Sequence, residues 1–115
     1  MVLNHVIGDN GYYHMNLDDI KKATAYNNCY LGIYASQFLP SFYAPIQDPW
    51  IIFEAIKEVG EKKCIIASDS GQVLNWPALE GLQILVRALL GFGFTKEEIK
   101  VMFVDNPARL LGLDE

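Results

Sequence analysis

Asp69 is the residue of this chain best placed to do chemistry. It follows the apolar run Cys64-Ile65-Ile66-Ala67 and Ser68, and Ser70-Gly71-Gln72 then turns the chain away. A carboxylate at the end of a buried strand has to be paired, hydrogen-bonded or bound to a cation, because burying a lone charge is costly. Asp69 therefore reads either as a cation-binding, proton-accepting group or as the cap of its own turn. His5 stands at the corresponding end of an earlier apolar run. Neutral imidazole is a ligand for zinc and other transition metals, and a carboxylate from a neighbouring unit can complete such a site. A histidine hydrogen-bonded for structure alone fits the same position. His14 lies in a loop with Asp9, Tyr12 and Tyr13 and is a candidate third ligand or substrate contact.

Spacing excludes other sites. Gly91-Phe92-Gly93 lacks the lysine of a phosphate loop, and Ser70 is not in a Gly-x-Ser-x-Gly elbow because position 68 is serine. Neither Cys29 nor Cys64 has a C-x-x-C partner.

The elements that must position these residues can be read from periodicity. Apolar runs at 2–6, 29–35 and 64–67 are rich in β-branched and aromatic residues and bounded by turn formers, as buried strands are. Their ends, near His5, Ala35 and Asp69, recur at the interval of roughly 30 residues that a strand-helix unit occupies. Between them, Asn16 can cap a helix over 17–26, with Asp18 and Asp19 in its first turn. Asp48, Pro49 and Gly60 are the cap, first position and stop of a second helix. Its stripe is Ile52, Ala55, Ile56 and Val59. Pro77 opens a third, with Leu82, Leu85, Val86, Leu89 and Leu90 on one face and Gly91 or Gly93 as its end. Thr95-Lys96-Glu97-Glu98 is a capping box for a helix to about Val104, and Asn106-Pro107 restarts a short one through Leu111. Three strands joined by crossover helices must be parallel. The loops after the strands, which hold His14 and then Phe38, Phe42 and Tyr43, are where such proteins bind ligands. The same aromatics could instead seal a barrel mouth or a subunit contact.

A chain of 115 residues holds one domain. Fourteen acidic against nine basic residues give a net charge of -5, the wrong sign for a phosphate-binding surface, so no nucleic-acid partner is expected. A 51% hydrophobic content excludes disorder. No apolar run reaches the roughly 18 residues of a membrane span, and Met1-Val2-Leu3-Asn4-His5 does not start like a secretory signal. Cysteines inside apolar runs read as reduced thiols of a cytoplasmic protein.

Ser68-Asp69-Ser70-Gly71-Gln72, Pro77-Ala78-Leu79-Glu80-Gly81-Leu82 and Asn106-Pro107-Ala108-Arg109-Leu110-Leu111-Gly112-Leu113 together resemble the closing segment of the amidohydrolase superfamily. These are TIM-barrel metal-dependent hydrolases, and the resemblance spans residues 48–115 and extends back to His5. It implies that Asp69 is the aspartate ending the last barrel strand, which binds metal and takes a proton from the attacking water. His5 is similar to the histidine of the sixth strand, so residues 1–115 resemble the last three β/α units of a (β/α)8 barrel. His14, Gln72 and Tyr43 are then substrate-binding candidates. The implied reaction is attack of a metal-activated water on a carbon-nitrogen, ester or phosphoester bond of a small molecule, with a divalent ion, zinc foremost.

The family's first-strand His-x-His and the ligands of its middle strands have no counterpart in the sequence, and a full barrel takes about 250 residues. The expected fold is therefore α/β: a partial (β/α) barrel of three parallel strands with crossover helices, followed by C-terminal helices. Such a piece would be inactive alone, and its open sheet edge and uncovered apolar faces favour self-association or a complementary barrel half. A non-enzymatic interaction module that oligomerises, with Asp69 as a structural cap, is the other reading.

Overall fold

The computed structural model describes residues 1–4, 6, 15–39, 48–71, 73 and 75–113. Strands β1 (Val2–Leu3), β2 (Tyr30–Tyr34) and β3 (Cys64–Ala67) form a sheet in the order β1-β2-β3. Both pairings are parallel: Val2 lies opposite Tyr30, and Leu31, Gly32, Ile33 and Tyr34 lie opposite Cys64, Ile65, Ile66 and Ala67. Parallel neighbours need long crossovers rather than hairpins, and these contain α1 (Leu17–Thr24) and α2 (Pro49–Val59). After β3 come α3 (Ala78–Phe92), α4 (Lys96–Lys100), a π-helical turn (Val101–Asp105) and α5 (Asn106–Leu110). The α/β class, the parallel sheet and the run of late helices are thus as expected. Strand β1 is shorter than 2–6, because pairing with β2 stops at Leu3. Beyond it the chain is tied by the Met15 N–H donating to the Val6 carbonyl at 2.9 Å.

The capping residues explain most boundaries. Asn16 Oδ1 accepts from the Asp19 N–H at 2.8 Å, and Asp48 Oδ1 accepts from the Trp50 N–H at 3.0 Å with Pro49 at the first position. Helix α3 runs through Gly91 and stops at Gly93, whose φ of 115° is accessible to glycine at little cost. Thr95 and Glu98 form the reciprocal capping box.

The restart at Asn106-Pro107 is corrected: the backbone stays helical from Lys96 to Leu110. Proline interrupts an α-helix because it lacks an N–H and its ring crowds the carbonyl four residues back. The widened turn just before it absorbs that conflict, with the Asn106 N–H reaching five residues back to the Val101 carbonyl.

The core lies on one face of the sheet. Leu31, Ile33, Cys64 and Ile66 pack with Ile20 of α1, Ile52 and Ile56 of α2, Leu85 and Leu89 of α3, and Met102. Phe53 of α2 meets Phe92 at 4.5 Å between ring centroids, and Trp50 stands edge-on to Phe92 at 4.9 Å, which pins the end of α3 to α2. Period-2 alternation sends Gly32, Tyr34, Ile65 and Ala67 to the other face. None of those four belongs to the core cluster, and Tyr34, Ile65 and Ala67 are half-buried.

Candidate functional site

The carboxyl ends of β2 and β3 bring together Tyr34, Ser36, Asp69 and their neighbours. Asp69 has φ 52°, the one positive value at a non-glycine residue among the described residues. Aspartate tolerates this left-handed conformation because its short polar side chain can hydrogen-bond nearby. From there its Oδ2 accepts a hydrogen bond from the Ser36 hydroxyl at 3.1 Å, across to the segment leaving β2. The Asp69 carbonyl accepts from Asn75 Nδ2 at 3.3 Å, which folds the following turn back toward the strand end. The Ser36 N–H donates to the Ser68 carbonyl at 3.1 Å and extends the β2–β3 pairing by one step. Asp69 thus reaches toward its neighbouring strand, while its main chain secures its own turn.

Tyr34 forms the second half of the cluster. Its ring folds back over Gly32, where a Cβ would stand 2.8 Å from Tyr34 Cζ, so glycine is required for this placement. Its hydroxyl donates to Asn4 Oδ1, just beyond β1, so the phenol joins the ends of β1 and β2. Burial, and then the negative charge of Asp69, push the Tyr34 phenol above its ordinary range. It therefore remains a neutral donor well into alkaline solution. The backbone beneath is held by Gln37 Oε1, which accepts from the Tyr34 N–H at 3.0 Å. Gly81 in the first turn of α3 closes the side: a Cβ there would lie 3.4 Å from Ala35 Cβ and 3.9 Å from Ser70 Oγ.

Of the residues anticipated from sequence, Asp69 stands where expected, at the end of β3. His5, His14, Gln72 and Tyr43 lie outside the described residues. Among the described residues no group of three or more His, Cys, Asp or Glu could hold a metal ion. Catalytic zinc generally takes three protein ligands. The described residues therefore do not by themselves suit a resident metal. What they provide is one exposed carboxylate beside a serine hydroxyl and a protonated phenol. That arrangement can accept a proton, orient a water or hold a hydroxyl group.

Tyr34, Asn4 and Asn75 were not signalled by sequence spacing. Gly32 and Tyr34, two apart on one strand, are the nearest thing to a signal: a glycine inside an apolar strand marks a close approach. Cys29 and Cys64 are free and buried. Burial, and then the charge of Glu61, push the Cys64 thiol up to about 12, so it is no nucleophile. A scan against protein-family models and searches of curated proteins and of solved structures find no match for this chain.

Proposed function

We propose that this chain is a three-unit piece of a (β/α)-barrel hydrolase of the amidohydrolase kind, with Asp69 as its proton-accepting carboxylate. The observation that carries the reading is the direction of that side chain. It leaves the tip of the outer strand β3 and meets Ser36 beyond β2, on the side of the sheet where parallel α/β proteins bind ligands.

The side of the sheet on which α3 packs supports a barrel segment over a doubly wound sheet. A doubly wound fold reverses direction after its first strands and places helices on both faces. The order β1-β2-β3 is shared by both, but α3 feeds the same core as α1 and α2, whereas a doubly wound sheet would send the helix after its third strand to the opposite face. The half-buried face of Tyr34, Ile65 and Ala67 then corresponds to a barrel interior.

In this reading Asp69 takes a proton from a water that attacks a small carbon-nitrogen, ester or phosphoester substrate. Ser36 fixes the carboxylate, and Tyr34 offers a neutral donor. A divalent ion would lower the pKa of such a water, but it would need His5 and donors from a second chain. The isolated chain is therefore a poor catalyst, and its proposed setting is a cytoplasmic assembly with another copy or a complementary barrel half.

Calorimetric titration of zinc into the full chain tests the reading, alongside Asp69→Ala and His5→Ala. The expected result is weak binding by the parent chain and at least a tenfold loss in each variant, of order 1.4 kcal/mol per tenfold. If zinc binding is unaffected by Asp69→Ala, Asp69 is a structural cap and the chain is an interaction module.

A further inference from the structure

An apolar groove of about 350 Å³ runs between α3 and the helical segment after it. Val86, Leu90, Ile99, Phe103 and Val104 line it, with Lys96 and Lys100 on its rim. Leu90 and Val104 are 41% and 51% exposed. Lys100 pairs with Asp105 at 2.6 Å, whereas Lys96 has no hydrogen bond or ion pair among the described residues.

The same chain displays a segment of matching character. Helix α5 ends in a fixed cap: Gly112 has φ 72°, its N–H donates to the Arg109 carbonyl at 3.1 Å, and the Leu113 N–H donates to the Ala108 carbonyl at 2.8 Å. In such a cap the residue after the glycine commonly packs back on its own helix. Leu113 does not: it is 70% exposed, beside Leu111 at 71%. The sequence continues with Asp114 and Glu115. The result is a cap-ordered apolar knob followed by two acids, opposite in charge to Lys96 on the groove's rim.

We propose that this groove seats residues 110–115 of a second copy of the chain, and that the exchange is reciprocal. Donor leucines and acceptor residues Phe103 and Val104 lie on adjoining segments, so one two-fold axis can satisfy both exchanges, whereas distant patches would build open chains. None of these residues belongs to the Asp69 cluster, so the inference is independent of the hydrolytic reading.

Analytical ultracentrifugation of the full chain from about 1 µM to about 1 mM, at a salt concentration near 0.15 M that screens the net charge, tests it. The expected result is a monomer–dimer equilibrium. Leu111→Glu with Leu113→Glu, and separately Val104→Glu, should each weaken the dimer at least about tenfold. All three sites are exposed, and circular dichroism checks that the fold is kept. Mixing the two variants should give a heterodimer stronger than either homodimer, because one donor and groove pair stays intact. Lys96→Glu should weaken the dimer, and Asp114→Lys with Glu115→Lys should restore it. A parent chain that stays monomeric throughout, or a dimer indifferent to these variants, overturns the proposal.

Discussion

Asn106 has none of its surface exposed, and its amide nitrogen donates to the carbonyls of Glu61 at 2.8 Å and Cys64 at 2.7 Å. It thus ties the late helical rod to the start of β3. Losing the amide leaves two carbonyls without that donor, and Asn106→Ala should cost about 2–4 kcal/mol in urea denaturation at pH 7. Cys64, next to that contact, gives a pH signature. Its thiol is raised from 9.0 to about 12 in the folded chain, so the folded state holds the proton more tightly than the unfolded state. This thiol should leave stability unchanged below pH 9 and lower it between pH 9 and 12, by up to about 1.4 kcal/mol per pH unit. By pH 10.5 the parent should have lost about 2 kcal/mol more than Cys64→Ala, whose slope lacks this contribution. Equal alkaline slopes would show that the Cys64 thiol is not held protonated by the fold. Asp69 was legible in the sequence because a strand pattern ends at it. Tyr34, Ser36 and Asn4 were not, because only the register between strands tens of residues apart brings them to it.

Elements were legible where a cap or stop residue stated them. The starts of α2 at Asp48 and of α4 at Thr95 follow from side chains that satisfy orphan backbone N–H groups, and the stops of α2 at Gly60 and of α3 at Gly93 follow from glycines with positive φ. Thr95→Ala removes the hydroxyl that accepts from the Glu98 N–H at 3.1 Å and should cost about 1 kcal/mol by thermal or urea denaturation. A loss near zero would mean that packing alone holds the short helix. The π-turn was not legible, because Asn106-Pro107 reads locally as a break. What fixes the rod against β3 is the hold of Asn106 on the Glu61 and Cys64 carbonyls, more than forty positions away and invisible to a local reading. The length of β1 escaped for a similar reason: an apolar run marks a candidate strand, but its partner decides where pairing stops. Helix α1 ends at Thr24 rather than Tyr26, where the Thr24 hydroxyl turns back to the Ile20 carbonyl at 2.8 Å and the Cys29 N–H bonds the Tyr26 carbonyl at 3.2 Å.

At the scale of the molecule, the sheet separates two environments one residue apart. Ile66 points into the helix-covered core at 5% exposure, while Ile65 points to the face that contributes nothing to that core. Ile66→Lys places an ammonium among Ile33, Ile56 and Leu89 with no partner and should unfold the chain or cost more than about 4 kcal/mol. Ile65→Lys keeps its charge near water by extending its stem, and should cost less than about 1.5 kcal/mol in the same denaturation experiment. Near-equal losses would mean that the second face is as closed as the first, and the sheet could not be the wall of a larger barrel. Unequal losses leave that face free to be covered. In the barrel reading Ile65→Lys then has a second consequence: a chain as stable as its parent should fail to join a complementary barrel half, because the lysine would be carried into the assembled interior. Assembly through the α3 groove alone would leave that variant dimeric, so sedimentation of Ile65→Lys separates the two kinds of association.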